Sequence, residues 1–121
     1  MNIKVIRKNN TDIAIVSSEE ILITDVQSAL DLMATVKYET GCSRIILNKS
    51  ALCEDFFHLS TRLAGEILQK FVNYHVKLAI VGDFSPYTSK NLKDFIYESN
   101  RGRHIFFLPD EKQAVKKISR E

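Results

Sequence analysis

Apolar and polar positions alternate from the start of the chain. "IKVIRK" (3–8) alternates, "NNTD" (9–12) supplies turn residues, and "IAIVSS" (13–18) runs apolar again. That pattern predicts a β-hairpin with a four-residue connection. The short "ILI" at 21–23 is either a further strand or an extended lead-in. The period then changes. In "TDVQSALDLMATVKYETG", Val26, Ala29, Leu30, Met33 and Val36 recur at helical spacing. Thr24 or Asp25 can cap this helix at its start, and Gly41 stands where a left-handed C-terminal residue is expected.

"RIILNK" (44–49) is a short apolar run bounded by polar residues, so a buried strand. "CEDFFHLSTRLAGEILQKFVNYH" (53–75) carries the longest helical signal. Phe56, Leu59, Leu63, Ile67, Phe71 and Tyr74 form one stripe, widened by Phe57, Ala64, Leu68 and Val72. Gly65 within it costs ~1 kcal/mol relative to Ala, which suggests close approach to another backbone. "VKLAIVG" reads as a strand. "SKNLKDFIYESNRG" reads as a helix closed by Gly102, with Ser85-Pro86 and Thr88-Ser89 as rival starts. "HIFFLP" is a strand, and "DEKQAVKKIS" a last helix capped by Asp110.

The expected fold class is α/β: a single domain over residues 1–121. An N-terminal hairpin leads into βαβαβα units with a mostly parallel mixed sheet. Strands joined through helices run parallel with right-handed crossovers, leaving the hairpin as the antiparallel part. The later strands are apolar on both faces, so helices, the hairpin's surroundings or a second subunit must cover both.

Composition narrows the function classes. With 121 residues, 45% of them hydrophobic, the chain can bury a core without metal or disulfide help. Seventeen basic and fifteen acidic residues leave a net charge of +2, too small a bias for a nucleic-acid footprint. A nucleic-acid partner would require Arg101, Arg103, Lys116, Lys117 and Arg120 to share a face, and acidic residues interrupt that run. No apolar run approaches the ~20 residues of a membrane span. The N-terminus "MNIKVIRK" has no apolar signal core and reads as a strand, so a cytoplasmic location is expected. Cys42 and Cys53 are eleven apart without CxxC spacing, and His58, His75 and His104 are scattered. The reading therefore expects no metal and no cofactor.

In a parallel sheet, ligands gather beyond the carboxyl ends of the strands. Here Lys49, Ser50, Asp83 and Ser85 are the polar candidates for a pocket, although a cap or turn role accounts for each as well. Asp83 raises the sharper question, since it lies several positions before the next helix, where no cap is needed. The sequence contains no P-loop, no dinucleotide-binding glycine turn, no nucleophile elbow and no zinc-protease or deaminase signature. Nothing positive supports an enzyme.

The run "IILNKSALCEDFFHLSTRLAGEILQKFVNYHVKLAIVGDFS" resembles the core of STAS-type domains, the anti-sigma-factor-antagonist and sulfate-transporter family. More closely, "FFHLSTRLAGEILQKF", "KLAIVGDFS" and "DFIYESNRG" resemble an uncharacterised family of small bacterial proteins, a domain of unknown function. The STAS resemblance implies a protein-binding switch in which a Ser at the start of the helix after the third strand is phosphorylated. That family's Asp-Ser pair falls near residues 56–61, where this chain reads "FFHLST". Ser60 and Thr61 are the nearest hydroxyls and the candidate phosphoacceptors, placed inside the helix by the periodicity.

The expected function is a non-catalytic binding or regulatory module acting on a protein partner or on another copy of itself. The aromatic residues Phe56, Phe57, Phe106, Phe107, Tyr74 and Tyr87 motivate self-association, exceeding what helices on one face need. The alternative is a small-ligand or enzymatic pocket anchored by Lys49 and Asp83.

Overall fold

The hairpin that opens the chain is tighter than the pattern predicts. Strand β1 (Asn2–Lys8) pairs antiparallel with β2 (Thr11–Ser17), and Lys8 faces Thr11 across a two-residue loop. Asn9 and Asn10 both take left-handed backbone angles, φ 53° and 61°. Asn tolerates that conformation, and two such residues make the primed turn whose twist matches the strands. Thr11 and Asp12, expected in the connection, are already strand.

In the computed structural model, which describes residues 1–120, the later elements are α1 (Val26–Thr40), β3 (Arg44–Asn48), α2 (Leu63–Asn73), β4 (Lys77–Val81), α3 (Lys90–Arg101), β5 (Ile105–Leu108) and α4 (Glu111–Ile118). The five strands lie in the order β1-β2-β3-β4-β5, parallel from β2 onward. Each crossover steps one strand in the same direction, so right-handedness places α1, α2 and α3 on one face. The packing agrees. Ala29, Leu32, Met33 and Val36 of α1, Ile67 and Phe71 of α2, and Leu92 of α3 share a core with Val16, Leu47, Ile80 and Phe107. The opposite face carries a smaller core, in which α4 lays Ala114 and Ile118 over Ile13, Ile15, Ile46, Ala79 and Phe106. Both faces are thus covered within one chain.

Local signals explain most boundaries. The Asp25 side chain accepts from Ser28 N–H, while the Ser28 hydroxyl receives the Asp25 N–H, a reciprocal cap. Gly41 closes α1 at φ 74°. Ser89, the later of the rival starts, caps α3, and Asp110 caps α4. Of "ILI", Ile23 alone forms a bridge, to Leu52.

The long helix expected over 53–75 is shorter. Residues 54–61 form 3-10 turns, and α2 begins at Leu63. Arg62, at φ 65°, separates the two. Phe56 and Phe57 are neighbours in sequence yet only 1% and 3% exposed. The turn that carries them sets Phe57 edge-on to Phe56 and against the rings of Phe84 and Tyr87. Ser60 and Thr61 therefore precede α2 instead of lying inside it. Gly65 is exposed, and a Cβ there would meet nothing within 4 Å, so it permits no close backbone approach.

Candidate functional site

The carboxyl ends of β3 and β4 bring Lys49 and Asp83 together, though not charge to charge. Lys49 follows β3 directly, and its ammonium donates to the Asp83 main-chain carbonyl at 3.0 Å. The Asp83 carboxylate instead accepts the Ser85 N–H at 2.9 Å, closing its own turn. Hydrogen bonding from Ser85, through its hydroxyl and then its N–H, holds the Asp83 carboxyl below the ordinary carboxylate range, with Lys49 adding a smaller charge effect. Asp83 is thus the pivot of a turn that offers Lys49 an oxygen.

Three rings surround the same ammonium. It stands 4.5 Å from the Tyr87 ring centre, 5.8 Å from Phe57 and 5.9 Å from Phe84, within the reach of cation–π attraction. Phe57 stacks on Tyr87 with centroids 5.1 Å apart, and Phe84 meets Phe107 edge-on. Gly82 is required by this packing. A Cβ at that position would lie 2.5 Å from Lys49 Cβ, so the lysine stem passes where any other residue would put a side chain. The Tyr87 hydroxyl points to Glu54 at 3.5 Å. Burial first, and then the Glu54 charge, push it up to about 12. What results is a lysine clasped by rings from two loops, which ties the segment after β3 to the one after β4.

Ser50 belongs to a different cluster. Asn48, the last residue of β3, receives the Ser18 N–H at 2.9 Å, donates to the Ser18 carbonyl at 2.7 Å and reaches the Ser50 hydroxyl. It bridges the ends of β2 and β3. Ser85 contributes its turn with Asp83 and nothing to Lys49. Ser60 is exposed. The Thr61 hydroxyl is committed to the carbonyls of Asp55 and His58 and receives the Leu63 N–H at 3.2 Å. Phe56, Phe57, Phe106 and Phe107, expected as an aromatic excess, are core residues, each at most 3% exposed, whereas Tyr74 is 64% exposed.

Among the described residues no cluster of three or more His, Cys, Asp or Glu is placed to hold a metal ion. No helix there is long and apolar enough to cross a membrane. Cys42 and Cys53 are free thiols, the first buried.

One arrangement that the sequence pattern misses lies at the edges of the sheet. On β5, the Asn100 side chain from α3 donates to the Phe107 carbonyl at 3.0 Å and accepts the Phe107 N–H at 2.7 Å. The carboxamide stands in for a sixth strand. On β1 no such cover exists among the described residues. A two-residue primed hairpin is closed by a hydrogen-bonded pair, here Lys8 with Thr11. Alternation then turns the main chain of Ile6, Lys4 and Asn2 toward β2, and that of Arg7, Val5 and Ile3 outward. Val5 is 46% exposed.

No curated protein and no solved structure matches the chain. The family described as a domain of unknown function (DUF4180) matches residues 8–118, nearly the whole chain, which therefore belongs to that family.

Proposed function

We propose that this protein is a non-catalytic cytoplasmic binding module of STAS-like architecture, which associates with a second copy of itself through the free edge of β1. The observation that carries the reading is the contrast between the two sheet edges: β5 is covered by Asn100, while β1 leaves three residues' main-chain groups unpaired. Unpaired edges are templates for strand addition.

The strand's own sequence suits self-pairing. Val5 is the midpoint of Asn2–Lys8. Antiparallel pairing about a two-fold axis there sets Val5 against Val5 of the second copy, Ile3 against Arg7, Lys4 against Ile6 and Asn2 against Lys8. No two like charges face each other directly, and the outward groups of Ile3, Val5 and Arg7 are the ones that bond. The small-ligand reading around Lys49 and Asp83 draws less support, because the ammonium lies among the protein's own rings and the Asp83 carboxylate serves its own turn.

Size-exclusion chromatography with light scattering at high micromolar concentration tests this. The wild type is expected to run as a dimer and Val5→Pro, which loses an outward N–H alone, as a folded monomer. A wild type that stays monomeric overturns the proposal.

A further inference from the structure

A second surface has a chemistry of its own. Between the hairpin tip and α4 runs a trough of about 820 Å³ lined by Lys8, Lys112, Lys116 and Arg120, with Val115 and Asp110 among the other residues. It is anchored at the tip, where Asn9 donates to the Ser119 hydroxyl at 3.3 Å. Lys112 and Lys116 stand four residues apart on α4 and share a helix face, and Arg120 follows just beyond the helix end at Ile118, so like charges repel one another along the trough. Neither acidic residue at the start of α4 stands four positions from any of them: four residues beyond Asp110 and Glu111 are Ala114 and Val115.

The one carboxylate lining the trough is already engaged. Asp110 accepts the Gln113 N–H at 2.8 Å and its side-chain amide at 3.2 Å. None of the three ion pairs among the described residues includes Lys8, Lys112, Lys116 or Arg120. Four cations therefore line one groove against a single carboxylate, Asp110, among the described residues, in a chain whose net charge is only +2.

We infer that this trough is a docking site for an acidic polypeptide segment. The cations supply the complementary field, and their aliphatic stems with Val115 supply apolar walls for intervening side chains. A nucleic acid fits less well. No aromatic side chain lines the trough to stack a base, and Phe106 beneath Lys117 is buried. Arg101, Arg103 and Lys117, the other basic residues of the charged run, lie outside its lining. The site shares only Lys8 with β1, and its other three cations lie at 112, 116 and 120, so substitutions at Lys112 and Lys116 test it separately from self-association.

The test is fluorescence anisotropy with a labelled poly-glutamate peptide of about 20 residues, long enough to run past the groove. The wild type and Val5→Pro are expected to bind alike at low salt, and binding should weaken as salt screens the charges. Lys112→Glu with Lys116→Glu replaces two attractions by repulsions and is expected to weaken binding about tenfold or more. The control Lys93→Glu with Arg103→Glu makes the same charge change elsewhere and is expected to have little effect. If the Glu pair unfolds, Lys112→Gln with Lys116→Gln takes its place, with a smaller loss in the same direction. Three results overturn the inference: no binding by the wild type, equal loss in trough and control variants, or tighter binding of a labelled single-stranded oligonucleotide that the trough variants abolish.

Discussion

The first and last strands of this sheet meet the same physical problem in opposite ways. Each is an edge with main-chain groups that have no neighbouring strand. At β5 the solution is internal: α3 returns over the strand and Asn100 fills both positions of Phe107. At β1 the protection is only partial. Lys4, Arg7 and Lys8 put charge along the strand, a common way of discouraging random edge-to-edge contact, but the main chain itself is bare. Arg7 is moreover partly neutralised by Asp12, at 2.8 Å across the hairpin. The lesson is that charge restricts which strand can add, whereas a side-chain amide excludes every strand.

That contrast can be broken from either side. The largest effect is expected from Phe107→Ala, which empties a core site at the closed edge where Phe84 and Phe95 pack. It should cost about 3–5 kcal/mol in urea denaturation, whereas Val5→Ala at the open edge should cost little. Next comes Asn100→Ala, which uncovers the Phe107 N–H and carbonyl. A loss of about 1–3 kcal/mol is expected, together with a new tendency to associate at high concentration, read by light scattering. The smallest and sharpest comparison lies within β1. Lys4→Pro removes an N–H directed at β2 and should cost about 1–3 kcal/mol, while Val5→Pro removes one directed outward and should leave the denaturation midpoint nearly unchanged at protein concentrations low enough that copies do not pair. Equal losses in the two proline variants would contradict the assigned alternation of the strand.

How far the sequence discloses this fold depends on whether each signal is local. The strand at "IKVIRK", the left-handed Gly41 and the Asp110 cap are each readable within a few residues, and the structure has them in place, although burial along the strand falls on Ile3 and Ile6 and not on alternate residues. Residues 53–62 are not readable that way. Phe56, Leu59 and Leu63 satisfy helical spacing by coincidence, while the decisive facts are tertiary: Phe57 packs on Phe84 and Tyr87 from the segment after β4, and Cys53 N–H is drawn to the Ile23 carbonyl at 3.0 Å.

The candidate site divides along the same line. That Lys49 and Asp83 share the carboxyl edge follows from parallel topology. That they meet through a carbonyl does not, nor does the enclosure of the ammonium by Phe57, Phe84 and Tyr87, because those depend on the paths of two loops. Asn100 carries no sequence signal at all, since an asparagine late in a helix looks like any other polar residue near a terminus.

The covered edge has one more consequence, for stoichiometry. A protein with two bare edges can add copies without end, and each addition exposes a fresh template for the next. In the proposed isologous pairing, β1 with β1 would use up the bare edge on both copies, and what would then face outward at either end is a strand whose Phe107 is already bonded to an asparagine. Assembly by that route would stop at two, so raising the concentration would fill pairs and build no fibres. A single carboxamide on α3 sets that limit.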